Sequence, residues 1–238
     1  MDTSFHSKHL TDLRSHGFTL VEMLVVIAIM SILMTAGAIG LSGMGGKGVT
    51  SGVASAESLF DEARSIAVGQ KTRSRVLISK TLTNAPADNL RRIMVVSAEI
   101  DPITGLEKSG PVWVMSSRPL LLPDQVYFSQ EFSKKDQNAG SGAIEEMDLT
   151  TGVKASFQGK YFYYEFNSEG ICTTPGAGVV IGSGARGVNS SADKPRVTSS
   201  GRKDFGGFVI WRNGRTSLFR SPDQISGSIS SLATGSQF

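Results

Sequence analysis

Three histidines, His6, His9 and His16, and one cysteine, Cys172, are all the imidazole and thiol that this 238-residue chain carries. Beyond residue 16 there is no imidazole, so that part of the chain can run neither Ser-His-Asp nor Cys-His nucleophilic chemistry. One cysteine excludes an intrachain disulfide and every thiolate-rich zinc site. Glu145, Glu146 and Asp148 offer oxygen ligands of the kind calcium takes, but without the spacing or glycines of a known calcium loop. A solvated acidic turn accounts for them equally. Gly182-Ser183-Gly184-Ala185-Arg186-Gly187 reads G-x-G-x-x-G after the apolar run Val179-Val180-Ile181. Residues 188–195, which close on Pro195, are poor helix formers, and a pyrophosphate needs a helix N-terminus beneath it. A loop is expected there. Gly46-Lys47 is followed by Gly48 rather than Ser or Thr, so it is no phosphate loop. The expectation is a chain without catalytic residues, cofactor or metal, that is, not an enzyme.

Basic and aromatic side chains suggest a different chemistry. Residues 186–220 hold eight Lys or Arg against two acidic residues, and Arg73, Arg75, Arg91 and Arg92 add to them. With Tyr161, Phe162, Tyr163, Tyr164, Phe208 and Trp211 they could form a stacking platform for single-stranded DNA. Aromatics at strand spacing also build cores, and scattered arginines are commonly solvated. The formal charge of +3 decides nothing between these readings.

The element with the strongest signature is near the N-terminus. Residues 18–41 are 24 residues with a single charge, Glu22. A helix of that length reaches roughly 36 Å, against about 30 Å for a bilayer core. A secretory signal has a shorter apolar stretch and a small-residue cleavage site, and residues 24–29 have no polar face, which argues against the alternative of a buried core helix. A transmembrane helix is therefore expected. A lone carboxylate in such a helix is costly and marks a functional residue with a partner, unless it rests at headgroup depth. The first cation beyond the span is Lys47, while Lys8 and Arg14 precede it, which agrees with a cytoplasmic N-terminus.

Gly17-Phe18-Thr19-Leu20-Val21-Glu22 followed by an apolar run resembles the processing motif of type IV pilins and type II secretion pseudopilins. The resemblance implies cleavage after Gly17 by a prepilin peptidase and N-methylation of Phe18. It also implies that Glu22 pairs with the Phe18 amine of a neighbouring subunit during filament assembly, a use of a buried ion pair to set register. Its further implications are an inner-membrane, single-pass protein with a cytoplasmic leader and a periplasmic head. The partners would be other pseudopilins or pilins, an inner-membrane assembly platform and inner-membrane lipid. All three histidines would leave with the leader.

The rest reads as a head of α+β class, a helix followed by mainly antiparallel sheet. Residues 42–52 contain five glycines in eleven, each about 1 kcal/mol poorer than Ala in a helix, and predict a flexible joint. Residues 53–70 place Ala56, Leu59, Phe60, Ala63, Ile66 and Ala67 on one helical stripe, with Gly69 a plausible stop. Strands are expected over 75–82, 92–100, 112–116 and 161–167. Asn213-Gly214 between the β-rich runs 207–212 and 215–220 predicts a hairpin with a type I′ turn. The organisation is thus leader 1–17, transmembrane helix 18–41, joint 42–52, amphipathic helix 53–70, β-rich head 71–220 and flexible tail 221–238. Within the head, Ala63-Arg64-Ser65-Ile66-Ala67, Leu122-Pro123-Asp124-Gln125-Val126, Phe166 to Gly170 and Gly214-Arg215 are similar in order to segments of GspH/FimT-type minor pseudopilins. Against that pattern residues 103–110 and 176–203 are long, which implies specialised surface loops. The resemblance covers two machines, a type II secretion pseudopilus and a type IV pilus or DNA-uptake system whose head binds DNA or a surface.

Overall fold

The computed structural model describes residues 19–42, 44–110, 112–186 and 204–219, with the side chains of residues 32–47 left aside. The leader 1–17, Phe18 and the tail 221–238 lie outside the described residues. The chain divides into two compact units, residues 1–43 and 44–238.

The first unit contributes one helix, α1 (Leu20–Ser42). The second opens with helix α2 (Met44–Gln70). Ten strands follow among the described residues: β1 (Ser74–Leu82), β2 (Arg92–Ala98), β3 (Trp113–Met115), β4 (Leu120–Leu121), β5 (Val126–Phe128), β6 (Glu146–Leu149), β7 (Gly159–Phe166), β8 (Gly178–Ser183), β9 (Phe205–Ile210) and β10 (Thr216–Leu218). They form two antiparallel sheets. One runs β3-β2-β1-β7-β6, with β4 also on β2; the other runs β10-β9-β8-β5.

Helix α2 joins the two sheets through the stripe expected from spacing. Ala56, Phe60, Ala63 and Ala67 are fully buried and Leu59 nearly so. The Phe60 ring meets Tyr164 and Phe166 of β7 edge-on, at 5.2 and 6.3 Å, and Phe208 of β9 at 5.1 Å. One side chain therefore ties the helix to both sheets. The central strands are covered on both faces, which is why their sequences read as apolar runs. Val76, Ile78, Ile93 and Val95 face the α2 core, while Leu77, Met94, Val96 and Trp113 build a second core with Leu82, Leu149 and Tyr161.

Several expectations are corrected. Residues 42–52 are not a joint throughout: α2 is helical from Met44, nine residues before the expected start. Gly48 and Gly52 serve packing. A Cβ at Gly48 would stand 3.2 Å from Val126, and one at Gly52 would stand 3.3 Å from Leu122 and from Val126. Their helix-propensity cost is offset by a close approach that buries Val49 and Val53. The helix passes Gly69 and stops at Gln70, where Lys71 takes a left-handed conformation, φ 51°, and Thr72 N–H donates to Ala67 O.

The hairpin β9–β10 is present, but not with a type I′ turn. Gly214 has φ +73° while Asn213 is not left-handed. Gly214 N–H donates to Trp211 O and Trp211 N–H to Arg215 O, giving a three-residue loop with its glycine in the left-handed position. Of the loop expected over 176–203, residues Gly178–Ser183 form β8, hydrogen-bonded to β5 and β9 on its two edges. Fully buried Val179, Val180 and Ile181 outweigh the poor strand propensity of the flanking glycines. Residues 187–203 lie outside the described residues.

Candidate functional site at the N-terminal helix

Thr19 precedes the first residue of α1 and caps it. Its Oγ1 accepts the Glu22 N–H at 3.2 Å, and Glu22 Oε2 accepts the Thr19 N–H at 2.8 Å and the Thr19 hydroxyl at 2.9 Å. This reciprocal arrangement, T-x-x-E, satisfies two backbone donors that a helix start leaves orphaned. The spacing was open to reading from Thr19-Leu20-Val21-Glu22, yet the sequence reading asked only what charge Glu22 would meet. The carboxylate also sits where the helix dipole favours an anion.

Beyond the cap, residues 20–30 of α1 turn apolar side chains outward. Leu20, Val21, Met23, Leu24, Val25, Val26, Ile27, Ile29 and Met30 are all exposed, Leu20 at 81%. Ser31 hydrogen-bonds back to Ile27 O at 2.7 Å, so its hydroxyl is satisfied within the helix. A helix apolar all round is stable only where something other than water surrounds it. Among the described residues no helix is long and apolar enough to cross a membrane, the described side chains of α1 ending at Ser31.

The other candidates are taken up by the fold. Glu145 bonds Lys135 and the Tyr163 hydroxyl, and Glu146 bonds Lys80 Nζ at 2.6 Å. These carboxylates face lysines and do not converge on a shared point. No cluster able to hold a metal occurs among the described residues. Gly182 of the G-x-G-x-x-G segment lies in β8, opposite Tyr127 and Phe205. Burial pushes the Cys172 thiol up from its ordinary value, which makes it an inert core residue.

Among the described residues the members of the possible DNA platform are dispersed as well. Tyr161, Phe162, Tyr164 and Phe208 are buried. Arg75 is ion-paired to Glu165 at 2.6 Å and lies between the Trp113 and Tyr163 rings, 4.1 Å from each. Arg73 bonds Glu107 at 2.8 Å, and Arg92 pairs with Asp88. Among the named aromatics Trp211 stands exposed, its indole N–H held by Ser217.

Three of the four short head segments similar to minor pseudopilins meet at one corner, and the fourth packs on α2. A Cβ at Gly214 would lie 2.6 Å from Arg64 and 2.5 Å from Gly170 O, so Arg64, Gly170 and Gly214 form one close-packed corner. Leu122, Pro123 and Val126 form the surface against which Gly48 and Gly52 rest.

Residues 12–38, which include the whole Gly17–Glu22 segment, match the family described as the prokaryotic N-terminal methylation motif. Over those residues the chain is similar to that family. Among solved structures it is similar to the type IV minor pilin FimU of Pseudomonas aeruginosa, at 12% identity and a TM-score of 0.36, over 75% of this chain and 95% of that one. That superposition is too loose to assign a role. No curated protein matches. The chain thus carries the methylation motif on a capped N-terminal helix, outwardly apolar over residues 20–31, and an α+β head of helix and antiparallel sheet.

Proposed function

We propose that the protein is a membrane-anchored minor pseudopilin or pilin-like structural subunit, cut after Gly17 by a prepilin peptidase and N-methylated at Phe18. The observation that carries this is the methylation motif running directly into a helix that turns apolar side chains outward over residues 20–30. In this reading α1 is held in the inner membrane before assembly and against the helices of other subunits afterwards. The head is periplasmic. Glu22 supplies the negative partner for the Phe18 amine of a neighbour, and the inner-membrane assembly platform takes the subunit into a filament. The chain does no chemistry of its own.

Between the two machines, the type II secretion pseudopilus is preferred to a DNA-binding pilus. Support comes from the head, where Arg73, Arg75 and Arg92 are ion-paired and Tyr161, Phe162, Tyr164 and Phe208 are buried. The test is the intact mass of the protein purified from a peptidase-competent cell. An N-terminus at a methylated Phe18 is expected, and one still at Met1 overturns the reading. A DNA shift assay on the full chain at low salt, where phosphate contacts are strongest, is expected to show no binding.

A further inference from the structure

We infer that Arg91 and Arg186, gathered on the ring of Tyr127, form a binding site for a phosphate-class oxyanion at the end of the head where α2 begins. Both guanidiniums lie over that ring, Arg186 at 4.8 Å and Arg91 at 5.9 Å. Arg186 donates to Asn89 O at 2.6 Å and to Pro86 O at 3.4 Å, and Arg91 donates to Leu122 O at 2.9 Å. These carbonyl anchors fix both side chains without neutralising them. Among the described residues the ion pairs of this cluster reduce to one, Arg91 to Asp124 at 2.7 Å, and Asp124 is 95% exposed. Arg91 therefore has one carboxylate that water also solvates, and Arg186 is held by backbone carbonyls.

Three further observations mark the place as incompletely satisfied. The Nε atoms of Arg91 and of Arg186 are buried without a hydrogen-bond partner, and in native proteins such orphans commonly signal an absent water or ion. Burial pushes the Arg186 guanidinium below its ordinary value; nearby Tyr127 opposes this and Arg91 adds to it. Of the three described non-glycine residues with left-handed backbone, Leu90 adjoins Arg91 and Gln125 adjoins Asp124, and such strain persists where surrounding structure enforces it. Two guanidiniums, each with five N–H donors in a planar fork, suit tetrahedral phosphate oxygens.

The site stands beside the first turns of α2, since Pro123 and Val126 lie against Gly48 and Gly52. If α1 is a membrane anchor, as in the function proposed above, a phospholipid headgroup is one source of such an oxyanion. Free phosphate presents the same chemistry without the membrane.

The experiment uses the full chain in phosphatidylcholine nanodiscs, with the Nε–H resonances of Arg91 and Arg186 followed while inorganic phosphate is added. A saturable shift is expected. Arg186→Gln, read at Arg91, should raise the half-saturating concentration about tenfold, the loss of one charge-assisted hydrogen bond. Asp124→Asn, an exposed change that leaves the fold alone, should lower it by removing the competing carboxylate. In discs containing phosphatidylglycerol, resonances already shifted without phosphate assign the headgroup; resonances that still await phosphate assign the free ion. No saturable shift, or a titration unchanged in both variants, overturns the site. The intact-mass measurement is independent of phosphate, so failure of the prepilin reading and failure of this site are distinguishable.

Discussion

At the scale of the residue, Glu22 has two separable duties. As a side chain it completes the cap with Thr19, and as a charge it is proposed to meet a neighbour's amine. Glutamine can fill the same position in a capping box but carries no charge. Glu22→Gln is therefore expected to keep the helix content of α1 in detergent, measured by circular dichroism, while failing to enter filaments in a co-sedimentation assay as fully as Glu22→Ala does. Normal incorporation of the Gln variant would assign Glu22 to capping alone. Thr19→Ala removes the other half of the cap at a cost of about 1 kcal/mol.

At the scale of the element, α2 is where glycine composition and packing pull in opposite directions. A joint over 42–52 would tolerate a large side chain at Gly52, and leucine there would even improve helix propensity. In the structure that side chain would drive into Leu122 and Val126. Gly52→Leu is expected to destabilise the head by about 1–3 kcal/mol, read as a lower urea midpoint, whereas an unchanged or higher midpoint would restore the joint. On the opposite side of the ledger, Phe60→Ala should cost about 3–5 kcal/mol because its ring touches β7 and β9 together. Losing only the amount expected of a single-sheet contact would show that the sheets hold each other without the helix.

At the scale of the whole molecule, acid sensitivity follows from carboxylates whose partners lie far along the chain. Burial acts to raise the Glu107 carboxyl, but hydrogen bonds from the Arg73 backbone and side chain and from Thr72 outweigh it and hold the group below its ordinary 4.5. Glu145 is likewise lowered, by Lys135 first and Tyr163 next. A folded value below the unfolded one contributes stability that is complete above 4.5 and is lost as pH falls through the folded value. Thermal midpoints of the full chain should therefore drop as the pH is lowered beneath 4.5, and the drop should be smaller in Glu107→Gln. The same acid-side slope in both proteins would remove Glu107 as a contributor. That carboxylate also anchors the 100–110 loop to the start of β1 through Thr72 and Arg73, while Ile103 and Leu106 at the loop tip remain exposed.

What the sequence by itself determined is what depends on near neighbours in the chain. The Gly17–Glu22 motif, the uninterrupted apolar run behind it, the 56–67 stripe and the Asn213-Gly214 hairpin are all patterns within a few residues, where helix and strand periods act. The strands β1, β2 and β7 were legible for the same reason, being long enough to show β-rich composition. The strands β4, β5, β6 and β8 were not: the first three have two to four residues and become strands only through pairing, and β8 is bracketed by glycines that read as loop. The tertiary structure alone decided that Gly48 and Gly52 pack, that Phe60 serves two sheets, and that Arg75 meets Glu165 ninety residues away. A charge or a glycine has no assigned partner until the chain closes: closure gave Arg73, Arg75 and Arg92 their carboxylates and made residues 44–52 part of a helix.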